Sequence, residues 1–147
     1  MWHALKAWFS SLTPSVEIGT VADIAVHIRR LLDAPAGGAL IIELVGAEDA
    51  FLQFTAGPNQ VQIDHPLITP QQMARENALR ETLSALGLTP YETVGSDGAR
   101  FLDADCPRDA VGAAILVQRI LSSLFQVDHS TQLRFVGNDL PPAEYPH

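Results

Sequence analysis

The stretch from Asp49 to Asp64, DAFLQFTAGPNQVQID, constrains the fold of this chain more than any other. Its second half, QVQID, alternates polar and apolar side chains with a period of two, which is typical of a strand with one buried face. Its first half, FLQFT, is aromatic and rich in strand-forming residues. Between them, AGPN supplies the backbone conformations that a tight chain reversal requires. The stretch therefore predicts an antiparallel hairpin at the centre of the fold.

Two amphipathic helices are predicted on either side of this hairpin. The first begins at Thr20, repeats its apolar residues every three or four positions, and ends before Pro35. The second begins at Thr69, which is followed by proline at the first helical position and Gln72 at the third. It ends at Gly87, where a glycine is typical of a helix C-terminus.

The last helix is unusually apolar. We expect it to open at Cys106-Pro107, with Asp105 as a candidate cap, and its apolar residues from Val111 to Phe125 cover far more than one stripe. Such a helix is buried on more than one side. Either the sheet and the other helices enclose it within the monomer, or part of it is shared with a second copy.

Short strands complete the predicted sheet. Ala39–Val45 is a short apolar run that precedes the hairpin, and 91–94 and 99–103 flank a glycine-containing turn. Segment 131–136 is a candidate edge strand. The prediction is an α+β fold in which helices pack on an antiparallel five-stranded sheet, in the order helix, three strands, helix, two strands, helix.

The first twelve residues predict an additional amphipathic helix, which Pro14 ends. Its large apolar residues recur at spacings of three and four and form one stripe: Trp2, Leu5, Trp8, Phe9 and Leu12. The stripe can dock on its own domain, on a partner chain or on a membrane, and its single basic residue disfavours the membrane. We therefore divide one domain of 147 residues into an N-terminal helix (1–14), a core (20–127) and a C-terminal extension (128–147).

Charge and cysteine content narrow the classes of function. The chain has 17 acidic residues against 9 Lys and Arg, a net charge of -8 that opposes nucleic acid and anionic membranes at long range. A single cysteine cannot form an internal disulfide, and no signal peptide is recognisable, so we expect a cytoplasmic protein. No stretch approaches the roughly 20 apolar residues that span a bilayer.

No group of residues has a recognisable catalytic or cofactor-binding pattern. The five histidines are scattered, whereas zinc needs three or four converging ligands. Cys106 lies beside Asp103 and Asp105, which would raise the pKa of its thiol and oppose nucleophilic chemistry. The glycine-containing loops lack the lysine and the glycine spacing of phosphate-binding loops. We therefore expect no enzyme activity, no cofactor and no metal.

The order of elements from Thr20 to about Val127 resembles the type III secretion chaperone-like fold, together with the bacterial sensory-transduction-regulator-like domains. The resemblance lies in this order, in acidity and size, and in the sequence FLQF at 51–54 followed by VQID at 61–64. It implies a cytoplasmic, dimeric, non-enzymatic protein that binds extended segments of a polypeptide client.

The leading hypothesis is accordingly a protein-binding module that forms a homodimer and holds or regulates a polypeptide partner. Polar residues such as Glu43 and Asp64 at sheet positions indicate a face that is either solvated or covered by a partner. The candidate partner-binding residues are Trp2, Leu5, Trp8, Phe9, Gln53, Gln62, Leu116 and Ile120. Two alternatives stay open: a toxin-neutralising or regulatory protein, and a small-molecule-binding protein or enzyme that uses His65 with Asp103 or Asp105.

Overall fold

The computed structural model of the chain describes residues 14–145, which form one antiparallel seven-stranded sheet and four helices. The α+β class is confirmed. The strands are β1 (Ser15–Gly19), β2 (Ala39–Leu44), β3 (Ala47–Ala56), β4 (Gln60–Pro66), β5 (Tyr91–Val94), β6 (Arg100–Pro107) and β7 (Leu133–Asn138). Their order across the sheet is β1-β7-β2-β3-β4-β6-β5.

The prediction of five strands was wrong by the two strands nearest the chain ends. β1 has only five residues, and the sequence analysis predicts no strand between the helix that ends at Pro14 and the helix that begins at Thr20. β7 was predicted as an edge strand within a C-terminal extension, yet it lies inside the sheet between β1 and β2. Its register with β2 runs from Leu44↔Leu133 to Ala39↔Asn138. Such long-range pairing decides where a strand lies and leaves no local mark in the sequence.

The helices are α1 (Ile24–Asp33), which follows a single 3₁₀ turn, α2 (Pro70–Ala74), α3 (Glu76–Ala85) and α4 (Ala110–Phe125). The predicted helix start at Thr69 is confirmed, because the Thr69 side chain accepts a hydrogen bond from the Gln72 N–H at 3.2 Å. The helix predicted to run on to Gly87 is two helices, which are separated at Arg75. Gly87 has φ +81° after α3, as a C-terminal glycine should.

The start of the last helix was wrong by four residues. Cys106 and Pro107 are the end of β6, and α4 begins at Ala110. Asp109, and not Asp105, is its N-cap: its side chain accepts a hydrogen bond from the Gly112 N–H at 2.9 Å. β6 pairs with β4 as far as Gln60↔Pro107, so this segment belongs to the sheet and the helix can begin only after Pro107.

The helices cover one face of the sheet, here called the inner face, and form the main core with it. Buried residues of α1, α3 and α4 share a single apolar cluster with strand residues such as Leu40, Phe54, Ile63 and Phe135. α4 contributes its buried side, including Val117 and Ile120, to this cluster, while Val111 and Ile115 remain exposed on its other side. Most of the apolar surface of α4 is therefore enclosed within the monomer.

Two expectations concern the chain ends and membranes. The predicted N-terminal helix with Trp2, Leu5, Trp8 and Phe9 lies outside the described residues. The longest helix of residues 14–145 has 16 residues, and none of the helices there combines the length and the apolar character needed to cross a bilayer.

Candidate functional site: the outer face of the sheet

The candidate site is the sheet face opposite the helices, called the outer face. Side chains alternate between the faces along each strand, so one set points away from the helices. Its apolar part is a second buried cluster of Ala39, Ile41, Phe51 and Val136. Its polar part, called the acidic cluster, consists of Gln53, Gln62, Asp64, Tyr91, Thr93, Asp103 and Asp105.

A row of apolar residues crosses three strands on this face. Val16 of β1 lies opposite Val136 of β7, which lies opposite Ile41 of β2. Exposure changes abruptly along the row, from 1% at Ile41 and 5% at Val136 to 54% at Val16. Ile18, the next residue of β1 on the same face, is 53% exposed. The row is therefore buried at the centre of the sheet and open at its edge.

One buried charge on this face is paired. Glu43 is 2% exposed, and the Arg134 guanidinium donates a hydrogen bond from Nη1 to Glu43 Oε1 at 3.0 Å. The two residues are direct cross-strand neighbours on β2 and β7. A carboxylate this deeply buried needs such a partner, because isolated burial of a charge is very unfavourable. Glu43, one of the polar sheet residues noted in the sequence, is thus part of an ion pair.

Two carboxyl groups meet at the centre of the acidic cluster. Asp64 of β4 lies directly opposite Asp103 of β6, so their side chains are neighbours on the outer face. Thr93 donates from Oγ1 to Asp103 Oδ2 at 2.7 Å, and Gln62 donates from Nε2 to the same oxygen at 3.4 Å. Gln53 donates from Nε2 to Asp64 Oδ2 at 3.5 Å. Both predicted glutamines therefore contribute to this cluster.

The Asp64 carboxyl group retains its proton at neutral pH. Burial, followed by the hydrogen bond and the charge of Asp103, raises the pKa of Asp64 to about 8. In the described part of the chain, Asp64 Oδ1 and Asp103 Oδ1 are both buried and receive no hydrogen bond from another donor. The proton on Asp64 supplies a donor in a place where these two oxygens otherwise have none.

Tyr91 connects the acidic cluster to the sheet edge. Its hydroxyl donates to Asp105 Oδ1 at 2.8 Å and accepts a hydrogen bond from Gln62 Nε2 at 3.0 Å. Burial and the Asp105 carboxylate raise the pKa of Tyr91 to about 12, so the phenol stays protonated. Asp105, predicted as a helix cap, is an exposed acceptor for this phenol instead.

His65 is separated from these acids. It pairs with Leu102, a residue of the main core, and is fully buried, whereas Asp103 and Asp105 lie on the outer face. Burial and, to a lesser extent, the charge of Arg75 lower the pKa of His65 to about 4, which leaves the imidazole neutral. The sequence hypothesis of a pocket that combines His65 with Asp103 or Asp105 therefore has no geometric support.

The Cys106 thiol lies in surroundings that oppose its ionisation. Burial, followed by the charge of Asp105, raises the pKa of the Cys106 thiol to about 11, which leaves little nucleophilic thiolate. Among residues 14–145, no three His, Cys, Asp or Glu side chains are grouped so that they could hold a metal ion. A surface depression between α3 and α4, lined by Glu81 and Arg119 among others, does not include the acidic cluster.

The structure places the predicted partner-binding residues at separate locations. Gln53 and Gln62 meet on the outer face, while Leu116 and Ile120 belong to α4 on the other side of the sheet. Ile120 is fully buried in the core and offers no surface. Sequence reasoning missed Thr93 and named Asp103 only as a partner of His65, although the alternation of Phe101, Asp103 and Asp105 along one strand places these three side chains on one face.

Comparisons with protein-family models, curated proteins and solved structures found no match to this chain.

Proposed function

We propose that this protein is a non-enzymatic polypeptide-binding module, and that its edge strand β1 takes up an extended segment of a partner. The observation that carries the proposal is the exposure of Val16 and Ile18, which are more than half exposed on a sheet edge. Among residues 14–145, β1 pairs only with β7, so the backbone groups along its other side have no strand partner there. An open edge with apolar side chains is a template for strand addition.

Strand addition at β1 would also extend an existing pattern of side chains. A segment paired with β1 would place every second residue beside Val16 and Ile18, and so continue the apolar row that runs through Val136 and Ile41. The net charge of -8 favours a segment that carries Lys or Arg at the alternate, outward positions. The proposed partner is therefore an extended, basic segment with alternating apolar residues, in keeping with the resemblance to secretion chaperones.

The opposite edge of the sheet is the natural comparison. β5 also exposes a valine, Val94, at 64%. However, β5 has only four residues, and its outer-face side chains Tyr91 and Thr93 are engaged by Asp105 and Asp103. β5 therefore offers less backbone and fewer free side chains for pairing than β1.

Selection from a displayed peptide library against the whole protein tests the proposal. We expect enriched peptides with alternating apolar residues, and we expect Val16→Asp and Ile18→Asp to reduce their affinity at least tenfold. Val94→Asp at the other edge is the matched control and should bind normally. Equal binding to all three variants would contradict binding at β1, and failure to enrich any peptide would contradict a polypeptide partner of this kind.

A homodimer is proposed on a separate surface. Val111 and Ile115 are 62% and 48% exposed and lie one turn apart on α4, away from β1. Exposed apolar residues in one stripe are typical of protein contacts. Light scattering should report a dimer for the unaltered protein and a monomer for Val111→Asp. A monomer in both cases would contradict the dimer and leave peptide binding at β1 unaffected.

A further inference from the structure

The segment that follows β7, residues 139–145, is here called the C-terminal strap. It is fastened to α1 and β1 by side-chain contacts. The Pro141 carbonyl accepts a hydrogen bond from Arg30 Nε at 2.6 Å, and the Tyr145 hydroxyl donates to Glu17 Oε1 at 3.0 Å. Two of the strap residues are prolines, which have no N–H group to donate to a sheet. The strap therefore depends on these side-chain contacts for its position.

Arg30 of α1 is the hub of the contacts. In addition to Pro141, its guanidinium reaches two residues of β1. Nη1 lies 3.4 Å from Glu17 Oε2, and Nη2 donates to Ser15 Oγ at 3.0 Å. Nη1 also lies 3.0 Å from His27 Nδ1, one turn earlier on α1. Because a guanidinium presents its donors in a fixed planar arrangement, any displacement of this group disturbs all of these contacts together.

The contacts of His27 determine its protonation state. A guanidinium can only donate, so Nδ1 of His27 accepts the hydrogen bond from Arg30 and carries no proton. In a neutral ring the proton then lies on Nε2, which is 3.4 Å from the Tyr145 hydroxyl oxygen. That oxygen can accept it, because the hydroxyl proton goes to Glu17. Arg30, His27, Tyr145 and Glu17 thus form a closed ring of hydrogen bonds around a neutral imidazole.

We propose that the C-terminal strap is a pH-operated latch, which is closed while His27 is neutral and opens when the imidazole takes up a second proton. That proton would lie on Nδ1 and point at an N–H group of Arg30, so two donors and two positive charges would face each other. The Phe135 ring stacks on the imidazole, with 4.1 Å between the ring centroids, and blocks its retreat on that side. Arg30 must then move, and its movement releases the Pro141 carbonyl.

The direction of the pH effect follows from the groups around His27. These groups come from every element packed against the ring: Glu17 of β1, Asp23 of the turn before α1, Arg30 of α1, Phe135 of β7 and Tyr145 of the strap. Burial has the largest effect and lowers the pKa of His27 from 6.5, and the charge of Arg30 acts in the same direction. The charges of Glu17 and Asp23 oppose this shift without cancelling it.

Opening of the latch removes the causes of this lowered pKa. The open form therefore binds more protons than the closed form, and falling pH favours opening. Uptake of one proton raises the ratio of open to closed latch by at most about tenfold for each pH unit below about 6.5. The latch does not depend on peptide binding at β1, because its contacts lie among side chains and leave the open backbone edge of β1 unused.

Fluorine NMR can follow the strap, because Tyr145 is one of only two tyrosines in the chain. The full-length protein is labelled with 3-fluorotyrosine, and Tyr91→Phe assigns the Tyr145 signal. Between pH 7.5 and 4.5 we expect this signal to approach the position of an unfolded tyrosine while the circular dichroism stays native. His27→Gln can accept from Arg30 and donate to Tyr145 but cannot titrate, so it should reduce the change at least fivefold. His65→Gln, the same substitution at another buried histidine, is the matched control and should leave the change intact.

A second measurement on the unaltered protein covers the case in which His27→Gln does not fold. Nitrogen NMR of the imidazoles at pH 7.5 should show the proton of His27 on Nε2, and the titration of His27 should have the same midpoint as the change at Tyr145. A Tyr145 signal that does not respond to pH while the protein stays folded would overturn the proposal. So would a change that persists in His27→Gln, or a proton on Nδ1 at pH 7.5. None of these results would bear on peptide binding at β1.

Discussion

Asp64 and Asp103 lie directly opposite each other on β4 and β6, and burial together with the neighbouring Asp103 keeps the Asp64 carboxyl group protonated on the outer face. This pair gives the stability of the protein a distinct dependence on pH. The folded state keeps Asp64 protonated up to about pH 8, whereas in the unfolded chain the group ionises near 3.8. Between these values the folded state binds more protons than the unfolded state, so stability falls as pH rises.

We expect the free energy of unfolding to fall between about pH 4 and pH 8 by an amount that Asp64→Asn removes, and the difference to level off above pH 8. The slope that this group contributes is at most about 1.4 kcal/mol per pH unit, the value for one proton. Urea unfolding of both proteins from pH 5 to 9 measures it. Parallel stability curves for the two proteins would contradict a raised pKa of Asp64.

His65 produces the opposite dependence at lower pH. Its pKa is lowered to about 4 in the folded state from 6.5, so below about pH 6.5 the unfolded state binds more protons and the protein loses stability as pH falls. We expect His65→Gln, which cannot take up this proton, to lose less stability between pH 6.5 and 4 than the unaltered protein. Thermal unfolding over this range measures the difference. Equal losses of stability in the two proteins would contradict the lowered pKa of His65.

The Cys106 thiol should react slowly in the folded protein. It is 2% exposed, and its pKa of about 11 leaves almost no thiolate at neutral pH. Labelling with a disulfide reagent at pH 7.5 should proceed at least a hundredfold more slowly than in urea. Labelling at the same rate in both conditions would show that the end of β6 opens readily or that Cys106 is accessible.

Asp109 and Asp105 give a direct test of where α4 begins. Asp109→Ala removes the cap that accepts the Gly112 N–H, and should lower the free energy of unfolding by about 1 kcal/mol. Asp105→Ala removes only an exposed hydrogen bond from Tyr91 and should cost less than half as much. Urea titrations of both variants measure the two losses in the free energy of unfolding. A greater loss for Asp105→Ala would place the helix start where the sequence alone predicted it.

Glu43 and Arg134 should behave as a coupled pair. Arg134→Met leaves the buried Glu43 carboxylate without its partner, and should lower stability by about 2 kcal/mol. Adding Glu43→Gln to this variant removes the unpaired charge and should restore part of the loss. A double-mutant cycle by urea unfolding measures the coupling. Additive losses would indicate that the two residues do not interact in solution.

The local sequence was sufficient to predict those strands and helices that adjoin a distinct turn or cap. The alternation around the AGPN turn placed β3 and β4, and the Thr69-Pro70 cap placed the start of α2. The signal failed at Cys106-Pro107, where proline is equally compatible with the first turn of a helix and the end of a strand. Pairing with Gln60 decided the outcome there, and no local pattern encodes that contact.

The acidic cluster shows the same limit for the candidate site. Gln53 and Gln62 are recognisable in the sequence as candidate surface residues because a polar side chain on a strand interrupts a core pattern. Their partners Thr93 and Asp103 come from strands far along the chain, and only the sheet order β3-β4-β6-β5 brings the four together. Predicting the cluster would have required the pairing of β4 with β6, which depends on the complete topology.

The position of β7 between β1 and β2 also has a consequence for synthesis on the ribosome. Ser15 pairs with Gly137, so the first described strand of the sheet has no neighbour until the last described strand has been synthesised. Until residues 133–138 leave the exit tunnel, the edge of β2 that will receive β7 is open to other chains. Pairings this distant in sequence slow folding. The nascent chain is thus exposed to aggregation for as long as β2 lacks this neighbour.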